Sequence, residues 1–247
     1  MNKFYGSILL IALFSLAAIA QPNTIGKATV PDKTAPIAAD VAANDVAKAT
    51  LAAHGGEKLK KMTSLVQKGS ADLTFMGQAL PGVFSTAVNG DKYYFEINSA
   101  VQSLKQVYDG RSTYSSIPGF SLPPMTSLGF PVLQRIGDNG YVITALSEDK
   151  KKKKGFRITT PEGFYTDFFV DEKTSQMKGY ESAYDAGGRV VTTSVEVDEF
   201  ETVEGLLIPK KYSQRFDLGQ ITAYANFKTK QTLVNSPMAE DSFVIPK

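Results

Sequence analysis

Two periodicities divide the chain. From Asp40 to His54, Ala42, Val46, Ala49 and Ala53 recur at helical spacing and predict a helix with a narrow apolar stripe, with Leu51 on the opposite side. The high alanine content favours the same element. Asp40 or Asn44 can cap its start, and Gly55-Gly56 stops it through a left-handed C-cap. Glu57 to Met62 adds a turn with Leu59 and Met62 inward. The period then drops to two. Leu65, Gln67, Gly69, Ala71, Leu73 and Phe75 share one strand face, and Val66, Lys68, Ser70, Asp72 and Thr74 share a wetter one. Gly77 and Pro81-Gly82 punctuate before a second strand, Val83 to Val88. Asn89-Gly90 fits a type I′ hairpin turn. Asp91 to Asn98 follows, with Tyr93, Phe95 and Ile97 alternating against Tyr94, Glu96 and Asn98. Ser103 to Tyr108 and Ser112 to Ser115 complete an antiparallel meander.

Ser116 to Leu133 obeys neither period. Ile117, Phe120, Leu122, Met125, Leu128, Phe130, Val132 and Leu133 ask for burial. Pro118, Pro123, Pro124 and Pro131, with Gly119 and Gly129, forbid a long helix or a central strand. Such a stretch is either a core plug or a lid over an apolar cavity. Strands then resume: Tyr141 to Leu146, Gly155 to Thr160, Phe164 to Asp171, Met177 to Asp185, Val190 to Phe200, Lys210 to Asp217 and Gln220 to Lys230. Turn-forming dipeptides separate them. About a dozen strands and one good helix leave too little helix for parallel βαβ units. So many twisted strands must curl or close. The expected fold is mainly β (α+β): a strongly curved antiparallel sheet or half-open β-barrel. The N-terminal helix and the apolar central segment cover its concave face.

Composition adds an address and removes most chemistry. Residues 1–20 read as a secretory signal peptide, with Lys3, the apolar run Ile8 to Leu16, and Ala18-Ile19-Ala20 before Gln21. Residues 21–39 read as a disordered leader, and 40–247 as a single domain. Neither the signal nor any other stretch is a good membrane span, and no cysteine exists for a disulfide or a lipid anchor. The expected location is therefore the periplasm, reached through a Sec-type signal. The formal net charge is +2, and loss of Lys3 with the signal brings it to +1, so nothing marks a nucleic-acid partner.

His54 is the single histidine and cannot form a metal or triad cluster alone. Its place at the helix end suggests a role beside the C-terminal dipole. Glu196, Asp198, Glu199, Glu201 and Glu204 could pair for acid–base work, but a solvated strand face explains them more simply. The run Lys150 to Lys154 could touch anionic lipid head groups, or be a solvated hairpin tip. No nucleophile elbow, phosphate loop or dinucleotide fingerprint occurs. No enzyme, cofactor or metal is expected.

The order of elements resembles a known family. The stretch AAHGGEKLKKMTSL with the strand VQKGSADLTF opens the likeness. KQVYDGRSTY closes the first half, and MKGYESAYDAGGRVVTTSVEVDEFETVEGLLIPKKYSQ and VNSPMAEDSFVIPK follow. The chain from Asp40 to Lys247 is similar to the periplasmic lipoprotein carriers of LolA and LolB type and their outer membrane lipoprotein-sorting relatives. It differs from the LolB type in lacking the lipid-bearing cysteine. The resemblance implies a half-open barrel that binds lipid, acylated lipoprotein or another hydrophobic ligand without catalysis.

On the residues themselves, a ligand cavity would be lined by Leu73, Phe75, Phe95 and Ile97 on the sheet. Ile117, Phe120, Leu122, Met125, Leu128 and Phe130 would cover it. An acyl chain gains about 0.8 kcal/mol per methylene buried there. The alternative is an envelope interaction or sensor module that docks a protein partner through the central loop or a sheet edge. Either reading is compatible with transient membrane contact.

Overall fold

The computed structural model describes residues 40–75, 78–100, 103–116, 129–150, 152–185, 190–217 and 222–245. Two helices, α1 (Val41–Ala53) and α2 (Glu57–Lys60), precede five strands: β1 (Ser64–Phe75), β2 (Gln78–Asn89), β3 (Lys92–Ser99), β4 (Ser103–Tyr108) and β5 (Thr113–Ser115). A 3₁₀ helix, Phe130–Arg135, leads into β6 (Val142–Thr144), β7 (Gly155–Thr159), β8 (Tyr165–Val170) and β9 (Met177–Asp185). Then come β10 (Val190–Val203), β11 (Leu206–Asp217) and β12 (Thr222–Val234).

All the strands join one antiparallel sheet in the order β5-β4-β3-β2-β1-β12-β11-β10-β9-β8-β7-β6. The first and last strands meet in the middle. The two ends of the sheet, β5 and β6, are neighbours in sequence, so residues 116–141 link one end of the open sheet to the other. Pro81 falls inside β2, where a break was expected. It pairs with Asp72 on β1, while β3 joins β2 only from Gly82 onward, so the proline sits where β2 has a partner on one side.

Asp40 caps α1, its carboxylate accepting from the Ala43 N–H at 3.2 Å. The buried face is Ala43, Ala47, Thr50 and Leu51. That corrects the expected stripe by one position: Ala42 and Ala49 are exposed, and Leu51 lies in the core. With so many alanines, Leu51, the largest apolar side chain of the helix, decides which face turns inward. Gly55 takes φ +116°, and a Cβ there would lie 2.7 Å from the Leu206 side chain, so the chain turns with glycine alone.

The main core fills the inner face towards β6–β11. Ala47, Leu51 and Leu59 from the helices pack with Phe156, Ile158, Phe168, Met177, Leu206 and Ile208 from the sheet. Phe130, Val132 and Leu133 of the 3₁₀ helix join them. Gln134 donates to the Leu59 and Met62 carbonyls at 2.9 and 3.0 Å, satisfying the end of α2. Arg135 reaches Asp91, in the β2–β3 turn, at 2.8 Å and so ties the two halves. The outer face of the first half is drier than expected. Phe243 packs there on Ala87 and Val107, with Val66, Tyr94 and Tyr114 around it.

His54 is the stitch between these layers. It is fully buried. The Met177 N–H donates to its Nε2 at 3.0 Å, so Nε2 carries no proton. Its Nδ1–H donates to the Leu207 carbonyl at 2.7 Å. The ring also meets Phe130 and Phe200 edge-on, with centroids 5.8 and 5.2 Å away. The residue is thus a neutral link from α1 to β9 and β11, not the dipole-bound cation expected.

Burial holds the His54 pKa below its ordinary 6.5, opposed by the Leu207 bond. The unfolded chain therefore takes up the proton first, and stability falls as pH drops below about 6.5, by up to ~1.4 kcal/mol per pH unit. Urea unfolding at a series of pH values should show this slope and its loss in His54→Leu. An equal slope in the variant would contradict the assignment.

Candidate functional site

The inner face beyond the main core holds a second cluster, on β1–β3 and β11–β12. Ala71, Phe84, Ile97, Ala225 and Phe227 are buried, with Leu73, Phe95, Tyr212 and Phe216 packed against them and only partly covered. Strand register explains the grouping, because each pairing keeps the same parity: Phe84 opposes Ile97, and Phe227 opposes both Ala71 and Tyr212. Phe227 is the hub. Phe84 meets it edge-on at 5.1 Å, Tyr212 stacks on it at 4.8 Å, and Phe95 lies 6.3 Å away.

Leu73, Phe95 and Ile97 are therefore brought together as expected. The backbone of Phe75 continues β1 opposite Ala223. Phe130 lies apart from this cluster, packed in the main core against His54. Ile117, Phe120, Leu122, Met125 and Leu128 lie outside the described residues. The chain on either side of them is held firmly. The Ser116 N–H donates to the Lys105 carbonyl at 2.9 Å, and the Lys105 N–H returns a bond to the Ser116 hydroxyl. The Gly129 N–H donates to the buried Thr166 hydroxyl at 3.1 Å. Gly129 has φ +69°, and a Cβ there would lie 2.9 Å from the Tyr180 ring.

Four tyrosines not singled out as site residues from the sequence share the inner face: Tyr93 on β3, Tyr180 and Tyr184 on β9, and Tyr212 on β11, with Tyr212 packed on the aromatic cluster and Tyr180 on the main core. Their signal was parity. Tyr93 shares a face with Phe95 and Ile97, and register places Tyr180 opposite the buried Val195, Tyr184 opposite Val191 and Tyr212 opposite Phe227. Burial is the leading cause that raises all four hydroxyls above the ordinary phenol range, with Tyr184 pushed up to about 12. Charge on Tyr180 and Tyr93 would raise Tyr212 further, and charge on Tyr184 would raise Tyr93. β3 and β9 stand six strands apart, about 29 Å along a flat sheet. The electrostatic influence of one tyrosine on another across that interval is consistent with a curved sheet. Tyr93, Tyr180 and Tyr212 nonetheless keep part of their surface accessible.

The opposite face differs in character. A groove of about 540 Å³ opens there beside the Lys68–Gly69 bulge, lined by Lys68, Val83, Tyr94, Glu96 and Lys230 among others. Its charged rim suits an apolar ligand less well than the aromatic inner face does. Lys150, expected at a solvated tip, is committed to a buried network: it pairs with Asp167 at 2.8 Å and with Glu181. Arg157 grips the same fully buried Asp167 from Nε at 2.6 Å and lies 4.0 Å over the Tyr165 ring. Lys152, Lys153 and Lys154 are exposed. Glu199 pairs with Lys210 and Lys211, which hold its carboxyl below the usual range. Among the described residues no group of three or more side chains could hold a metal, and no helix is long and apolar enough to cross a membrane.

Comparison with solved structures finds one that shares this architecture. A LolA superfamily protein from Nitrosomonas europaea matches with a TM-score of 0.51 at 10% identity, covering 82% of this chain and 97% of that one. The chain shares its fold with that protein. A DUF1329 family protein from Desulfovibrio piger ATCC 29098 matches with a TM-score of 0.46 and 12% identity, over 82% and 96% of the two chains. An outer membrane lipoprotein-sorting protein domain from Vibrio parahaemolyticus matches with 0.43 and 10%, over the same shares. No family profile matches the sequence, and neither does any curated protein.

The Asp167 network is structural. Asp167→Ala should lower unfolding stability by about 3 kcal/mol, because two cations lose their shared carboxylate while keeping some solvent. Lys152→Ala with Lys153→Ala should stay within ~0.5 kcal/mol. Denaturant titration of the variants checks both, and a loss under ~1 kcal/mol for Asp167→Ala would contradict the assignment.

Proposed function

We propose that this protein is a non-enzymatic periplasmic carrier that holds the acyl chain of a lipid or lipoprotein against the concave face of its sheet. One observation carries the reading: the aromatic cluster around Phe227 lies on the inner face yet leaves Leu73, Phe95, Tyr212 and Phe216 only partly covered. A fold built only for stability closes such a face, since each apolar side chain left open forgoes about 1.5–3 kcal/mol. The LolA-superfamily fold supports the reading by presenting the concave side of an open sheet. In it, residues 1–20 direct export and are removed, and residues 21–39 link the signal to the domain.

Phe95 and Leu73 would contact the bound chain from the sheet. Ile117, Phe120, Leu122, Met125 and Leu128 would contact it from the connection that Ser116 and Gly129 anchor. Delipidated protein should bind a fluorescent fatty-acyl probe at micromolar concentrations, and Phe120→Ser with Leu128→Ser should weaken it about tenfold. Absence of probe binding at those concentrations overturns the carrier reading.

A further inference from the structure

The inner face carries no charged side chain on the stretches that surround the aromatic cluster. β3 presents Tyr93, Phe95 and Ile97; β9 presents Tyr180, Ser182 and Tyr184; β11 presents Tyr212, Gln214 and Phe216; and β12 presents Ala225 and Phe227. Its polar groups are neutral, and they fall into two sets. The first set is satisfied within the protein. Gln214 donates to the Thr193 hydroxyl at 2.9 Å, Ser182 bonds Thr166 at 2.9 Å, and Gln67 donates to the Pro209 carbonyl at 2.8 Å. The second set is the tyrosine hydroxyls. Thr86 lies in hydrogen-bond reach of Tyr93. Tyr180, Tyr184 and Tyr212 make no hydrogen bond to any described residue.

A phenol taken from water without a partner is costly, and phenylalanine would pack the same ring without that penalty. Tyr180, Tyr184 and Tyr212, on the same face of β9 and β11, therefore amount to a set of donors awaiting an acceptor. A phosphate or carboxylate is met in proteins by arginine or lysine, and the described residues of this face supply neither. Neutral donors in an apolar wall suit a neutral acceptor, namely a carbonyl oxygen.

We propose that Tyr180, Tyr184 and Tyr212 make the concave face selective for acyl ligands whose ester or amide carbonyls reach it, the phenol hydroxyls donating to those oxygens while any charged head group stays outside. This rests on the carrier reading and adds its chemical selectivity. The acyl carbonyl could come from a diacyl lipid or from an acylated polypeptide, which share this group.

The test uses the delipidated full chain and two probes of equal chain length, a pyrene-labelled fatty-acid methyl ester and the corresponding pyrenyl alkane. The native protein should bind the ester about tenfold more tightly than the alkane. Tyr180→Phe with Tyr212→Phe keeps both rings, and should remove most of that preference while changing alkane affinity less than about twofold. Equal affinity of the native protein for the two probes, or an undiminished preference in the variant, overturns this inference and leaves the carrier reading standing. Binding of neither probe overturns both. Competition by phosphatidylglycerol vesicles against a diacylated peptide then identifies the source of the carbonyl, and stronger displacement by either supports the assignment. Displacement by a free fatty acid as strong as by its methyl ester, at a pH where the acid is ionised, counts against it.

Discussion

His54 commits both ring nitrogens to the backbone of two strands, and the rest of the architecture depends on that link. A twelve-stranded open sheet has no closure of its own, because β5 and β6 end it without pairing to each other. Something must set how far it curls. Here α1 enters the concave side and delivers a neutral imidazole that accepts from Met177 on β9 and donates to Leu207 on β11. The same ring is the floor on which Phe130 rests. Helix, sheet and the returning connection are thereby registered at one point, in a site too buried to tolerate a charge.

That registration confines the solid core to one end of the inner face. α1 and the 3₁₀ helix cover Phe156, Phe168 and Ile208, but not the aromatic cluster on β1–β3, β11 and β12. The boundary runs along tyrosines. Tyr180 packs against Gly129 and Phe168 on the filled side, and Tyr212 stacks on Phe227 on the other. A surface with fixed aromatic walls, neutral hydroxyls and no charge is what an acyl chain with a carbonyl near its end would need. The lysine run, which from charge alone invited a lipid-headgroup role, begins with a residue held by Asp167 and Glu181 on the far side of β8 and β9.

Much of this was legible in the sequence because period two is a strong signal over a dozen strands. The inward grouping of Leu73, Phe95 and Ile97 followed from alternation alone. The failures have physical causes. Nearly half of α1 is alanine, so its stripe carried little information, and Leu51, set aside as off-pattern, marks the true face. Pro81 read as a break because the sequence could not reveal that β3 stops at Ser99, leaving β2 one-sided there. His54 looked like a helix-end cation because both of its partners are backbone groups more than a hundred residues away. The tyrosines were invisible as a set, since only strand order and register put those of β3, β9 and β11 on one face.

The central claim is that the concave face holds an acyl ligand in the cell. It is tested most directly by native mass spectrometry of the protein purified from its own envelope without detergent, followed by organic extraction. The account predicts a population heavier than the polypeptide by one acylated molecule, released on extraction as a carbonyl-bearing lipid or acyl peptide. A spectrum showing only the bare polypeptide, with no acyl species in the extract, would contradict it.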